Sequence, residues 1–390
     1  MDLQQKKYST LYESHYVYRY MTNTKPNVTL ITRAYFWRQG AGLWARTRET
    51  VKFLAEHTNL QIIFLGIVSE QDITFIRSFE HSFNLNWLGQ PKADQQAFWK
   101  QTFVKSTKKQ PVSDFYIIDK TENSFMLDVT PSTAKTILDT HDIISERAAK
   151  SLANGIIDPF SLTAEEEKAL FQRYDAVICI QKNELQLVSQ WVGADKAIYM
   201  PMPQATNAIP IRNTVKNIGM IASGWHANVN GLGDFLKEVW PKLDSHLHLN
   251  VYGAVGNHFS QVTFNNVTFH GFQQDLESCY KDLDLAINPV NYGAGLKIKS
   301  IEALAHGLPL VVTPEGASGI EDLNGSGLLI AKDPADFAKK ITQLIYDHPA
   351  RVRLAINGLN HIKTHFNKAV CFHELSTYLG IKQVDNTRAI

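Results

Sequence analysis

The chain has 390 residues, 44% of them apolar and 20% charged, a composition that buries sizeable cores and excludes disordered and fibrous classes; at roughly 100–200 residues per domain it predicts two domains. Lys plus Arg number 39 and Asp plus Glu 38, for a net charge of +1, so no bulk field recruits nucleic acid or an anionic membrane, and recognition of charge has to be local. The three cysteines, Cys179, Cys279 and Cys371, stand far apart with no Cys-x-x-Cys spacing, which argues against a disulfide scaffold or zinc knuckle and fits a reducing cytoplasm.

Residues 1–26 are polar and tyrosine-rich, without the apolar stretch of a signal peptide, and no run reaches the ~18 apolar residues of a membrane span. A soluble chain is expected, at most peripheral at the inner face of a membrane. Val28–Thr32 reads as a strand. A loop ending Gly40-Ala41-Gly42 leads into Leu43, Thr47, Val51 and Leu54 at helical spacing, and Gln61–Val68 reads as a buried strand. The stretch 78–112 sets Trp87, Phe98, Trp99 and Phe103 beside Lys92, Lys100, Lys105, Lys108 and Lys109. It reads as a surface helix whose aromatics dock on their own domain, with an acceptor-side or membrane-surface excursion as the alternative. Strands at Phe115–Asp119, Thr136–Asp139 and Ala176–Ile180 complete a first doubly wound half. Tyr199–Pro210, with three prolines, reads as a connector. A second series follows at Ile218–Ala222, Leu247–Tyr252, Val267–Phe269, Leu285–Asn288, Leu310–Thr313 and Leu328–Ala331. Strands alternating with helical segments predict an α/β chain with two Rossmann-like doubly wound domains facing a central cleft.

Which ligand fills that cleft is the next question. Gly231-Leu-Gly233 lacks the third glycine of a dinucleotide fingerprint, and no GxxxxGK[ST] occurs, which disfavours a dehydrogenase and a P-loop kinase. The densest chemistry lies in Asn288–Pro309. A strand ends at Asn288, the loop turns at Gly293 and Gly295, and a helix is predicted from about Leu296 with Ile298, Ile301 and Ala305 on its buried face. Free amides at that helix start, with its dipole, suit a diphosphate, and Lys297 and Lys299 add positive charge there. Glu302 points to the cleft, where a carboxylate accepts from two adjacent ribose hydroxyls; the bland reading is a Lys299–Glu302 surface pair.

Other patterns are weaker. Asp282-Leu-Asp284 matches a metal-holding DxD, yet Asp284 begins a strand at the end opposite the diphosphate loop, so a strand-start role is preferred. His246 and His248 lack a third ligand and read as a solvated edge. His141 reads as positioning substrate or handling a proton at a strand's carboxyl end. Asp142 divides evenly between that role and capping the next helix, with Ser145 as the other cap.

The stretch Asn288–Ile320 resembles the donor-binding signature of GT-B glycosyltransferases of the retaining group 1 kind: a Pro-x-x-x-Gly-x-Gly loop, a helix carrying Glu302-Ala-Leu-Ala, Gly307-Leu-Pro-Leu-Val-Val and Gly316-Ala-Ser-Gly-Ile320. Ile218–Gly224 with Asn228, Asn230 and Val239-Trp-Pro241, and His270-Gly-Phe-Gln-Gln-Asp275, are similar to the start and the base-side turn of that family's second domain. Ile137–Ile143 with Ser145 and Arg147, and Tyr174–Glu184, are similar to segments of its first, so most of 28–350 is covered in order. Ala294 stands where the family often has the first of two glutamates, and His226, Asn228 and Asn230 stand where a basic pair usually enters.

The resemblance implies that Glu302 holds ribose and that the amides of Gly295, Leu296 and Lys297 hold the diphosphate of a UDP- or GDP-sugar. It implies that Phe272 and Gln273 meet the base, that His141 lies beside the donor sugar, and that Gly40 and Gly42 approach phosphates or acceptor. It implies domains at 1–200 and 201–364, with 365–390 packing back on the first. The function implied is metal-free transfer of a sugar, with retention, to a glycan, lipid-linked or other glycoconjugate acceptor, as in polysaccharide biosynthesis. A nucleotide-sugar epimerase and an idle nucleotide-sugar binder are the alternatives.

Overall fold

The structure, a computed structural model, describes residues 25–381 except 41, 80, 81, 92, 93 and 109–111. The tyrosine-rich start, Lys92 and Lys109 therefore lie outside the described residues.

Seven strands form a first parallel sheet: β1 (Asn27–Thr32), β2 (Asn59–Phe64), β3 (Asn84–Trp87), β4 (Phe115–Asp119), β5 (Lys135–Asp139), β6 (Ala176–Cys179) and β7 (Ala197–Tyr199), in the order β3-β2-β1-β4-β5-β6-β7. Between them run α1 (Gly42–His57), α2 (Glu70–Arg77), α3 (Gln95–Thr107), α4 (Ile144–Ala153), α5 (Ala164–Phe171) and α6 (Lys182–Val192). Six strands form a second: β8 (Asn217–Ile221), β9 (His248–Tyr252), β10 (Val267–Gly271), β11 (Leu285–Asn288), β12 (Leu310–Val312) and β13 (Leu329–Ile330), ordered β10-β9-β8-β11-β12-β13. Its helices are α7 (His226–Glu238), α8 (Leu276–Lys281), α9 (Ile298–Ala305), α10 (Pro334–Tyr346) and α11 (His348–His365); α12 (Lys368–Cys371) and α13 (His373–Tyr378) end the described chain.

The fold class is as expected, and the physical reason is plain in the strands. Runs such as Val28–Ile31 and Ala176–Cys179 are buried throughout, because helices cover both faces of a parallel sheet. In both sheets the strand order reverses beside the first strand, between β1 and β4 and between β8 and β11. Loops leaving those strands at their carboxyl ends diverge and open a crevice.

Several local expectations are corrected. The strand expected to reach Val68 stops at Phe64, where the chain bends through Gly66 toward Ser69, whose hydroxyl caps α2. Two short strands escaped the hydropathy pattern. β3 (Asn-Leu-Asn-Trp) is an edge strand, and β7 has three residues, so the connector starts after Tyr199. The helix expected from Leu296 begins at Ile298, because Lys297 has the non-helical φ −83° and ψ 79°. In the 78–112 stretch Trp99 and Phe103 are each 1% exposed. They turn inward from α3, and Trp99 Nε1 donates to Gly89 O at 2.7 Å.

Neither Asp142 nor Ser145 caps α4. The carboxylate of Glu167, from α5, accepts from Ile144 N at 2.7 Å and Ser145 N at 2.8 Å, so the first amides of one helix are held by a buried side chain of the next. Glu167→Ala strands two buried donors. It is expected to cost about 2 kcal/mol, seen in calorimetry as a fall of about 4–8 °C in melting temperature for a domain of this size. Glu167→Gln, which retains one acceptor, is expected to lose less.

The last helices lie on the first sheet. The rings of Phe53 and Phe372 stack at 4.2 Å, Phe115 and Tyr378 meet at 6.1 Å, and Glu374 accepts from Tyr199 N.

Candidate functional site

At the switch point of the second sheet β8 leads through Ala222-Ser223-Gly224-Trp225 into α7, and β11 leads through 289–297 into α9. A cavity of about 570 Å³ opens here, between these loops and the start of α1 in the first domain. Gly40, Gly42 and Arg48 line it from the first domain. Phe272, Gln273, Leu296, Lys297, Lys299 and Glu302 line it from the second. Gly295 belongs to the same loop, and His141 and Asp142 stand beside Gly295, outside the cavity wall.

Two glycines permit the close approach of the domains. Gly295 has φ 71°, and a Cβ there would lie 2.9 Å from the carbonyl oxygen of His141 and 3.4 Å from Asp142 Cβ. Gly40 has φ 110°, and its Cβ would lie 2.8 Å from the ring of Phe272. Backbone in this region accepts side chains only with strain, so glycine is required at both points.

The amides of Gly295, Leu296 and Lys297 donate to no partner among the described residues. They remain available to an anion. The two lysines differ from expectation. Lys297, 8% exposed, pairs with Glu315 Oε1 at 2.7 Å and donates to Gly295 O at 2.9 Å and Ala294 O at 3.2 Å. Its charge therefore holds the loop rather than standing free. Burial lowers its pKa, and Glu315 works against the fall. Glu315 also pairs with Lys150 of α4 at 3.0 Å, which ties the first domain to the loop. Lys299 donates to Asn228 Oδ1 at 2.6 Å. Burial, then the like charge of Lys297, pulls its pKa down to about 7.

No Lys299–Glu302 ion pair forms among the described residues. Tyr280, from α8, donates its hydroxyl to Glu302 Oε2 at 2.9 Å and stacks on His306 at 4.4 Å, so the carboxylate is oriented by a fixed ring. Burial raises the pKa of Glu302, with Tyr280 opposing. His226 Nδ1 and Asn230 Nδ2 both lie 2.9 Å from the hydroxyl of Tyr292, behind the loop. At the base-side turn Gln273 Nε2 donates to His270 O at 2.9 Å while the Phe272 ring stays 55% exposed.

In the first domain His141 holds φ 62°, a strained value for a non-glycine residue. Its Nε2 lies 2.5 Å from Asp119 Oδ1 and 3.8 Å from Asp139 Oδ2. Burial would raise the pKa of Asp119, but the charge and hydrogen bond of His141 and the hydroxyl of Thr32 hold it below its ordinary value. Asp119, Asp139 and His141 bring three ligand-type atoms within 4.8 Å of one another. The other oxygens of the two carboxylates are held by protein donors: Arg46 Nη2 lies 2.8 Å from Asp139 Oδ1, and Thr32 donates to Asp119 Oδ2. Asp142 is held by Arg147 Nη1 at 2.9 Å to each oxygen, and Arg147 Nε reaches Asp158 at 2.8 Å.

The remaining sequence candidates take structural places. Asp284 pairs with Arg212 at 2.7 Å and accepts from Lys216 N and Asn217 N at 2.8 Å, fixing the start of β8. His248 bonds Thr268 at 2.8 Å and His246 pairs with Asp244 at 2.7 Å. Sequence reasoning missed Arg48, Trp225, Tyr280 and Glu315. Each is an isolated side chain on another element, with no motif spacing to signal it.

Residues 215–347 match the family Glycosyl transferases group 1. An uncharacterized 44.6 kDa protein in the cps region of Klebsiella pneumoniae is 22% identical over 223 residues, 54% of this chain and 57% of that protein. The match thus spans little more than half the length of the relative. Among solved structures, HepE of Anabaena in complex with UDP and glucose is similar, with a TM-score of 0.67 at 13% identity over 91% of this chain and 99% of that one. Sucrose-phosphate synthase from Thermosynechococcus elongatus has a TM-score of 0.70 at 13% identity, over 91% of this chain and 98% of the other. TarM of S. aureus is covered over 58% of its length, with 72% of this chain, a TM-score of 0.59 and 16% identity. At these identities the structural likeness is one of fold. The likeness to the group 1 glycosyl transferases thus lies in the second domain, over residues 215–347, and the two parallel sheets have the GT-B fold.

Proposed function

We propose that the protein moves a sugar from a nucleotide-sugar donor to a hydroxyl of a glycan or glycoconjugate acceptor, with the donor on the second domain and the acceptor on the first. One observation carries this reading. The cavity at the second sheet's switch point combines free loop amides, Lys299 and the oriented Glu302 in one wall, and the glycine loop of the other domain closes over them.

The chemistry follows from charge. As the glycosidic bond breaks, the departing nucleotide diphosphate gains negative charge, which the amides of Gly295 to Lys297 and the ammonium of Lys299 stabilise without a metal ion. Glu302 accepts from the ribose, and Phe272 with Gln273 meets the base, uracil or guanine. Glu302 is the sole carboxylate among the described residues of the cavity wall. Transfer with retention on one face needs no protein nucleophile and is compatible with this wall. In this reading His141, held by Asp119, receives the acceptor proton or orients the sugar. Domains divided near residue 200, with 365–381 returning to the first, belong to the same reading, the rest of the expected segment 365–390 lying outside the described residues; so does work in a reducing cytoplasm, supported by three free, buried cysteines.

Ala294 and the engagement of Lys297 by Glu315 favour a second reading, an idle nucleotide-sugar binder. Incubating the protein with a panel of UDP- and GDP-sugars and following products by mass spectrometry separates the readings. Slow nucleotide release is expected, accelerated by a cell-derived acceptor extract. An isomerised sugar would identify an epimerase. Thermal stabilisation by a nucleotide sugar without turnover would identify the binder.

A further inference from the structure

We infer that the first domain carries an acceptor subsite for an anionic sugar group, a carboxylate or a phosphate, built by Arg33, Lys120, Glu122 and Asn123 at the switch point of its sheet. The inference rests on the proposed transfer and names the chemistry of its acceptor.

The place is set by topology. β1 and β4 are neighbours whose next partners, β2 and β5, lie on opposite sides, so Arg33 after β1 and Lys120 after β4 stand on loops that part. A second cavity, of about 180 Å³, opens between them, with Leu43, Glu122 and Asn123 in its wall. Gly42 lines the donor cavity and Leu43, the next residue, lines this one. The two cavities therefore flank the start of α1. The small one also adjoins the His141 pair, since Asn123 Nδ2 donates to the carbonyl of Asp119 at 2.6 Å.

Two independent features define the ligand. The first is unused hydrogen-bond acceptors. Asn123, 2% exposed, leaves Oδ1 without a donor, and Glu122 Oε2 is likewise unpartnered among the described residues. Buried acceptors are normally satisfied, and leaving one empty is costly. Ligand hydroxyls would supply the donors. The second feature is charge. Lys120 is balanced by Glu122 at 2.8 Å. Arg33 is exposed, makes no ion pair among the described residues, and rests 4.9 Å from the ring centre of Trp99. One uncompensated guanidinium thus stands at the rim of a cleft that accepts hydroxyls. A planar fork there suits a carboxylate or phosphate. Lys120 itself is held at φ 76°, strain that places its side chain in this wall.

The test reads sugar binding directly by ligand-observed NMR on the full chain, with and without UDP. Three probes are compared: methyl glucuronoside, methyl glucoside and glucose 1-phosphate. An anionic probe is expected to bind about tenfold or more tightly than the neutral glycoside, the gain of a charge-assisted hydrogen bond. Which anion binds better tells carboxylate from phosphate. Arg33→Ala is expected to erase the preference and Arg33→Lys to keep part of it, with unchanged melting temperature reporting an intact fold. Equal binding of anionic and neutral probes, or a preference that survives in Arg33→Ala, would overturn the inference. Failure of the donor reading shows separately, as absence of UDP binding, and leaves the sugar titration readable.

Discussion

Glu302→Ala is expected to weaken nucleotide binding by about 100-fold, because two ribose hydroxyls lose a charged acceptor and each such bond is worth about 1.5–3 kcal/mol before compensation by water. Isothermal calorimetry with UDP and GDP checks it. The side chain is oriented by Tyr280 rather than packed in a core, so the melting temperature is expected to change by little more than the loss of that one hydrogen bond. Tyr280→Phe provides the graded control. It keeps the carboxylate but frees its Oε2, and a loss of about threefold to tenfold is expected. Unchanged affinity in Glu302→Ala would remove ribose from the assignment. The same carboxylate sets an acid limit. Burial raises the pKa of Glu302, so protonation, and with it the loss of affinity, begins at a higher pH than an ordinary glutamate would give.

The largest effect of a single cation is expected at Lys299. Lys299→Met removes the ammonium while keeping the stem, and it is expected to weaken nucleotide-sugar affinity by about 100-fold through loss of charge-assisted contacts to the diphosphate. The pH dependence distinguishes this from a packing defect. With its pKa drawn down to about 7 by burial, Lys299 is half charged at neutral pH in the free protein. The diphosphate binds the charged form and raises the pKa, so binding takes up protons. Affinity is therefore highest below pH 7 and falls as pH rises, by nearly tenfold per unit above 7 until the pKa of the complex is reached. A sugar diphosphate ester does not itself titrate in this range, so it is the ligand to use. In Lys299→Met the slope is expected to vanish. A slope that persists would assign the proton to another group.

These two residues show how far local sequence reaches. The Asn288–Pro309 stretch was legible because strand, glycine turn and helix follow one another within a single segment, and a carboxylate a few positions into the helix falls on a foreseeable face. The pairing of Lys297 was not legible for the converse reason. Its partner, Glu315, lies after β12, and only the closing of β11 against β12 brings that carboxylate to 2.7 Å. The cap of α4 was missed in the same way, since the residues nearest in sequence, Asp142 and Ser145, yield to Glu167 from the following helix. The strands β3 and β7 were missed because two asparagines or a three-residue length leave no period to read.

What this sequence determined unaided is the alternation of buried β-branched runs with helical segments, a proline-bearing connector near residues 199–210, and the glycine loop with Glu302 behind it. Each depends on neighbours within about ten residues, where backbone propensity and side-chain periodicity act directly. What only the tertiary structure decided is which charges are free. Lys297 is bound to Glu315, Asp142 to Arg147 and Asp119 to His141, while Lys299 and Arg33 stand without carboxylate partners among the described residues. A balance of +1 over the whole chain is silent on this, because Coulomb energy and desolvation depend on distance and burial rather than on count.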